Sequence, residues 1–462
     1  MPDGWPQAVL DLLAAAGDRT VFEHGDRHVS GAEMSELIRR IATGLRRDGI
    51  GPGSGVVLAL GVHPEAFAAV FAAFAVGARV AGVRTDQLDD VLADAGATLV
   101  DEDRLAVLLR SPGLPVRAAG RPGDPARILY TSGSNGQPKG CVQTYAAMTA
   151  AWAAHPDRWP PVVRQLAARL DRYLVFGSLS SQVMLEYGVL ALAAGGTLVA
   201  ALPPAFPAAI ARHRATASVI TVGKLHQLVR DQRAEPADLS TLRALMVSGS
   251  PLDPGRLAEA LDVLGPVIFH GYGQTETGMI AMVTPDEMLA SPAALASVGR
   301  PPDAVDIRLR DVFTGHQQGV GELYVRTPAQ ASAYWRDPAE TAEVFVDGWV
   351  RTRDLATVDD EGYLRLLGRT RDVIFVHAEL VHAGPIERML AAHPDVAEAY
   401  VVGRPDDETG EAVHAFVVPA AGRRPDPAAL RGLVAGRATP KTITFIDQVP
   451  VTAAGKPDKA AL

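Results

Sequence analysis

From about residue 30 to 270, short β-branched runs alternate with longer stretches of helical apolar spacing. This alternation restricts the fold more than any other feature of the chain. The runs are VVLAL (56–60), TLVA (197–200), SVITV (218–222), ALMVS (244–248) and PVIFH (266–270). Each is followed by Gly or Pro punctuation and then an amphipathic stretch. Strands that alternate with helices in this way build parallel α/β layers.

From about 296 to 370 the texture changes. Short alternating runs such as DIRLR, ELYVR and YLRLL stand between Gly/Asp turns, which predicts antiparallel β structure. Beyond Arg371 the pattern predicts a helix over 385–392, the strands AEAYVVG and AVHAFVV, and a last helix near 427–434. The 462 residues exceed what one ordinary core holds. The expected class is α/β. Residues 1–370 form a large N-terminal domain of α/β layers plus a small β-barrel-like subdomain. Residues 371–462 form a small, mobile α+β C-terminal domain.

With 48% hydrophobic and 21% charged residues the composition is globular, not disordered. A net charge of −9 favours neither nucleic acid nor an anionic membrane as partner. The single cysteine, Cys141, forms no intramolecular disulfide and no thiolate metal cluster, which fits a reducing, cytoplasmic setting. MPDGWPQAVLDLL lacks a basic region followed by an apolar core, so no signal peptide is expected. The uncharged run from Tyr187 to Ile210 contains Gly195-Gly196 and Pro203-Pro204, which break a membrane helix.

Four stretches carry chemistry. YTSGSNGQPKG (130–140) follows a strand-like segment and offers hydroxyls, backbone N–H groups freed by glycine, and Lys139. That is a phosphate-binding composition. It is not the Walker pattern, because Lys139 follows Pro138 and precedes Gly140. GYGQTETG (271–278) follows the strand PVIFH. There Tyr272 offers a flat face for a base, Thr275 a hydroxyl, and Glu276 a hard oxygen ligand suited to Mg²⁺. Its partial G-x-G is no dinucleotide fingerprint. The third glycine is misplaced, Pro285 stops any helix, and no acidic residue stands about 20 positions on at a strand end. GWVRTRDLATVDDEGYLRLLGRTRD (348–372) places Asp354 between short strands and Arg369 at the end of one. PVTAAGKPDKAAL closes the chain with Lys456 after a glycine.

In this order the four stretches resemble the adenylate-forming superfamily: acyl- and aryl-CoA synthetases, adenylation domains of nonribosomal peptide synthetases, and luciferases. The resemblance runs from about residue 30 to 462 and is nearest to the acyl-CoA synthetase-like branch. YTSGSNGQPKG is similar to YTSGTTGxPKG, GYGQTETG to the YGxTE motif, GWVRTRDL to GWFRTGDL, and GRTRDVI to the interdomain hinge. SVGRP (297–301), GELYVRTP (321–328), YWRDPAET (334–341) and GKPDKAAL also match the pattern.

The resemblance implies an ATP- and Mg²⁺-dependent enzyme that converts a small carboxylic acid to its acyl-adenylate with release of pyrophosphate. It then implies transfer to the thiol of CoA or of a carrier protein's phosphopantetheine. Thr131, Ser132, Gly133, Ser134, Gly136 and Lys139 would hold the ATP phosphates. Gly249, Ser250 and Pro251 would line the adenine slot with Tyr272, and Asp354 and Arg369 the ribose. Thr275 would meet the α-phosphate, Glu276 would hold Mg²⁺, Arg371 would be the pivot, and Lys456 would join the two anionic reactants. Ser180, Ser181, Glu186 and Gly273 are candidates for the acid pocket. Monomer and homodimer both fit.

Several positions depart from the family pattern. The loop after the hinge, His377 to Glu387, carries Ala378 and Ala383 where the acyl-CoA branch has glycine and proline. An added methyl narrows a thiol channel. The competing reading is therefore an adenylating ligase that passes the activated group to nitrogen, an amide synthetase or a diazotase-like variant. A degenerate relative that only binds nucleotide is a third. His377 and His382 are expected to be partly exposed loop residues. No carboxylate precedes Glu186 in VFGSLSSQVMLEYG, so simple α-amino acids are disfavoured. Glu186 itself is expected on the solvated face of its helix, with contact to an amino-bearing substrate as the alternative. Residues 77–95 look shortened relative to the family.

Overall fold

The computed structural model describes residues 4–82, 91–92, 96–132, 138–177, 181–201, 206–249, 252–311, 319–370, 372–377, 379–420, 422–451 and 457–462. Among these, two sheets organise the larger part. The first has eight strands in the order Gly278–Val283, Ile268–Gln274, Ala244–Ser248, Ala217–Thr221, Arg172–Val175, Thr197–Ala200, Thr20–His24 and Arg27–Ser30. Its interior is parallel, and each edge is closed by an antiparallel strand. The second has six strands in the order Ala333–Tyr334, Pro138–Thr144, Pro125–Ser132, Arg79–Gly82, Gly55–Leu58 and Thr98–Val100. The runs at 197–200 and 244–248 form strands at those bounds. PVIFH starts later than expected and continues through Gln274, so the strand itself carries the motif that follows.

An apolar helix explains why two sheets lie in one unit. Pro64–Ala75 reads PEAFAAVFAAFA, is capped by the His63 side chain and has Pro64 in its first turn. All of its residues except Glu65 are buried. A helix apolar on every side must be enclosed. It packs in one continuous core with Val56 and Val80 of the six-stranded sheet and Val21 and Phe22 of the eight-stranded sheet. Phe67 and Phe71, one turn apart, have ring centroids 4.7 Å apart. Burial of each such side chain contributes about 1.5–3 kcal/mol.

The β-rich region expected at 296–370 is a five-stranded antiparallel sheet. Its longest strand, Trp349–Val358, pairs with Val320–Arg326 along one side and with Phe345–Val346 and Leu364–Arg369 along the other. Leu323, Val325, Ala356 and Leu364 pack against Ile280 and Ala281 of the eight-stranded sheet. This contact brings residue 354 to the motif at 271–278.

The C-terminal part has its own five-stranded sheet, built on the pair Val396–Asp406 and Gly410–Pro419, and its own core around Ile374, Ile386, Leu390, Val413 and Val417. Its helices run over Ala383–Ala391 and Pro427–Gly432, close to the expected spans. The first meets the five-stranded sheet at Gly384, where a Cβ would lie 2.3 Å from the Leu367 carbonyl oxygen. Arg256 reaches across to the Val396 carbonyl at 3.2 Å and to that of Ala397. No helix among the described residues is long and apolar enough to cross a membrane.

Gly299 of SVGRP separates two backbone effects. Its φ is +94°, and a Cβ there would lie 2.2 Å from the carbonyl carbon and oxygen of Met282. Gly195 has φ +84° with open space around it. Gly195→Ala should lose about 1 kcal/mol, from the left-handed backbone alone. Gly299→Ala should lose a further ~1–3 kcal/mol from overpacking. Urea unfolding checks this, and equal losses for the two variants would contradict it.

Candidate active site

The edge hairpin of the eight-stranded sheet presents GYGQTETG. Gly278, at φ +71°, closes the turn, and a Cβ on Gly273 would lie 2.3 Å from its carbonyl oxygen. Buried Thr277 fixes the turn: its hydroxyl accepts the Gln274 N–H at 3.2 Å and donates to the Gly278 carbonyl at 2.9 Å. Thr275 and Glu276 sit half-buried on this turn, and Gly273 is exposed.

Asp354 is 5% exposed. One carboxylate oxygen accepts the Tyr272 hydroxyl at 2.5 Å and the Gln274 amide at 2.7 Å. The other accepts Arg369 Nε at 2.7 Å, from the neighbouring strand. A buried carboxylate is tolerated only when it is matched in this way. Burial, and then the Asp354 charge, push the Tyr272 hydroxyl far above its ordinary pKa, which keeps it a donor.

Glu276 accepts the Tyr334 hydroxyl at 2.6 Å. Tyr334 lies on the edge strand Ala333–Tyr334 of the six-stranded sheet, next to Cys141. Its hydroxyl is likewise raised, by burial first and then by Glu276. Lys139 pairs with Glu340 at 2.7 Å, and Glu340 also receives Arg353 at 2.8 Å. Burial pushes the Glu340 carboxyl up, but hydrogen bonds from Arg353 and Lys139 outweigh it and the net shift is downward. Arg353 also pairs with Glu343 at 2.9 Å. It holds φ +59°, a conformation that disfavours any residue with a Cβ.

Gly249, at φ +100°, follows the strand Ala244–Ser248, and a Cβ there would meet open space. Ligands of parallel sheets settle at such carboxyl ends. The backbones of Thr131 and Ser132 pair with Lys139 and Pro138 across the two strands that flank the glycine-rich loop. Gly133, Ser134, Gly136, Ser180, Ser250, Pro251, Arg371, Ala378 and Lys456 lie outside the described residues, as does much of the segment 77–95. The base of the last loop is described. Val451 bridges to Pro457, and the Asp458 N–H donates to the Pro450 carbonyl at 2.7 Å. Lys459 then pairs with Asp372 at 2.9 Å and Glu387 at 2.7 Å.

Ser181 is exposed at the start of the helix Gln182–Ala193. The solvated position expected for Glu186, on that helix, is corrected. Glu186 is half-buried, and burial pushes its carboxyl up to about 7 against the pull of Arg127. Charged residues avoid burial in general, but here a buried cation stands opposite. His377 is exposed, with φ +52° where the family pattern has glycine. His382 is half-buried, its Nδ1 has no partner among the described residues, and burial lowers its pKa. Ala383 is buried at the first turn of its helix.

The sequence reading missed Gln274, Tyr334, Glu340, Arg353 and the buried pair Arg127 and Gln143. Tyr334 and Glu340 were within reach, since both lie in YWRDPAET. Among the described residues no group of three or more His, Cys, Asp or Glu could hold a metal alone. Glu276 instead suits a cation bound by one carboxylate and substrate phosphates, as Mg²⁺ usually is. Together these contacts gather the cations Lys139, Arg353 and Arg369 and the carboxylates Glu276 and Asp354 around the turn at 271–278, a set of groups that could receive a polyanion.

The sequence model for AMP-binding enzymes matches residues 12–103 and 92–335, and that for the AMP-binding enzyme C-terminal domain matches 385–456. A feruloyl-CoA synthase of Amycolatopsis sp is 33% identical over 95% of this chain and 94% of its own. An indoleacetate–CoA ligase of Aromatoleum aromaticum is 32% identical over 95% and 93%. The structure of the amide bond synthetase McbA from Marinactinospora thermotolerans superposes with a TM-score of 0.86 at 33% identity, covering 98% of each chain.

The left-handed Arg353 yields a test. Arg353→Gly and Arg353→Ala lose the same two ion pairs, but only glycine relieves the backbone. The glycine variant should be more stable than the alanine variant by about 1 kcal/mol. Chemical denaturation measures the difference, and an alanine variant equal to glycine would show that φ is not strained.

Proposed function

The chain belongs to the AMP-binding enzyme family, and from that premise we propose its reaction and the residues that perform it. It is an ATP-dependent, AMP-forming ligase that activates a carboxylic acid as the acyl-adenylate. The observation that carries the residue roles is the convergence on Asp354 of Tyr272 and Gln274 from one sheet and Arg369 from another. This prepares a ribose seat beside Lys139 and Glu276.

Asp354 accepts the ribose hydroxyls, and Tyr272 offers its face to adenine beside Gly249, Ser250 and Pro251. Lys139, with Thr131, Ser132, Gly133, Ser134 and Gly136, receives the β- and γ-phosphates. Lys139 leaves Glu340 to do so, and Arg353 keeps Glu340 neutralised. Glu276 and the ATP phosphates would hold Mg²⁺, which neutralises the departing pyrophosphate. A carboxylate oxygen of the acid attacks the α-phosphorus, the bond from phosphorus to the β-bridging oxygen breaks, and pyrophosphate leaves. Thr275 lies beside the α-phosphate. Lys456 places an ammonium between the two anions and stabilises the charge that spreads as they meet.

We place the domain boundary at 371, with residues 1–370 binding ATP and acid and residues 371–462 carrying Lys456 as a lid. The second step is attack of a thiol on the acyl carbonyl with AMP as leaving group. CoA is the acceptor that the feruloyl-CoA and indoleacetate–CoA relatives support, with carrier-protein phosphopantetheine as the variant. A nitrogen acceptor is the second reading. It is favoured by likeness to an amide bond synthetase and by His377, Ala378 and Ala383 in the loop after the pivot. Substrate is a small organic acid, and one buried thiol, Cys141, suits a reducing cytoplasm.

Pyrophosphate exchange against a panel of acids tests the first step, and product analysis with CoA, a carrier protein or amines separates the acceptors. Lys456→Ala should lower exchange by about 10²–10³-fold or more while ATP still binds. Unchanged exchange would remove Lys456 from the mechanism.

A further inference from the structure

Behind the nucleotide cleft lies a buried polar cluster that the adenylation chemistry does not use. Arg127 is 5% exposed and Gln143 is 4% exposed, side by side on the paired strands Pro125–Ser132 and Pro138–Thr144. Arg127 donates through Nε at 3.1 Å and Nη2 at 2.6 Å to the Gln143 carbonyl oxygen. The Gln143 amide donates in turn to the Ala329 carbonyl at 3.1 Å. Arg127 is thus locked from behind. The Glu186 carboxyl lies within electrostatic reach of it, without a direct hydrogen bond among the described residues.

Glu186 is placed by its helix. At the start of Gln182–Ala193, the Gln182 side-chain nitrogen lies 3.9 Å from where a Cβ on Gly278 would be, next to the motif turn. Glu186 is one turn further on the same face, about 6 Å along the axis. Beyond it the helix passes into the fully buried Val189, Leu190 and Ala191. Glu186 is half-buried, unlike its buried neighbours Leu185 and Gly188. A carboxylate in such a place needs a donor.

On the adenylation reading, on which this inference rests, we propose that Glu186, opposed by Arg127, is a specificity residue: it accepts a hydrogen bond from a neutral N–H or O–H group on the body of the acid, away from the carboxyl being activated. A neutral donor suits the site better than an ammonium. Arg127 already places one cation within reach of the single carboxyl of Glu186, and a second buried cation would be uncompensated. An acid with an apolar body leaves Glu186 unpaired, and the enzyme discriminates against it for that reason.

Matched acids test the proposal: indole-3-acetate against 1-methylindole-3-acetate, and 4-hydroxycinnamate against 4-methoxycinnamate. Each is measured by pyrophosphate exchange and by calorimetric binding to the intact enzyme. The donor member of at least one pair should be preferred by about 10- to 100-fold, the ratio expected for a hydrogen bond to a buried charged group. Glu186→Gln should keep much of the preference and Glu186→Met should bring the ratio near one. Because Glu186→Met strands Arg127, the double variant Arg127→Met/Glu186→Met is measured beside it and should also show a ratio near one. Wild-type enzyme with no preference in either pair, or a foldable Met variant that retains it, overturns the proposal. If no acid supports exchange, the adenylation reading fails, and the calorimetric ratios still decide the role of Glu186.

Discussion

A carboxylate cannot leave water without partners, and Asp354 meets that requirement by drawing on two sheets. Tyr272 and Gln274 come from the edge hairpin of the eight-stranded sheet, and Arg369 from the strand beside Asp354 itself. The cost of an unmatched buried charge, several kcal/mol, therefore acts as a restraint on how those sheets sit. The apolar contact of Ile280 and Ala281 with Leu323 and Ala356 lies beneath it and sets the distance. Polar and apolar demands agree on one arrangement.

A second layer of charge surrounds that centre. Glu340 stands between Lys139 and Arg353, so the lysine proposed to meet the phosphates is balanced by a carboxylate of the protein. Solvent screening weakens these part-exposed pairs. Lys139 can therefore exchange one anion for another at small net cost. Tyr334 holds Glu276 in a comparable way, through one hydroxyl. The site is organised by neutral donors and balanced pairs.

Much of this was legible in the sequence, because it rests on local rules. β-branched runs at 197–200 and 244–248 became strands at those bounds, since period and punctuation act within a few residues. The grouping of 130–140, 271–278 and 348–372 came from ordered resemblance, and no local rule would have supplied it. What stayed hidden depends on contacts distant in the chain. Glu186 reads as a surface charge until Arg127, 59 positions earlier in the numbering, is seen opposite it. Arg353 reads as an ordinary turn residue until its backbone angle is known. Tyr334 and Glu340 lay in a quoted motif, but their partners did not.

The clamp on Lys459 has a mechanical consequence. Its ammonium is shared by Asp372, the residue next to the proposed pivot, and Glu387, on the first helix beyond it. The end of the chain is thereby riveted to the start of the C-terminal part. A swing about residue 371 would carry tail and root as one lever arm, with little slack between them. In such a swing timing would belong to the joint and aim to the rivet.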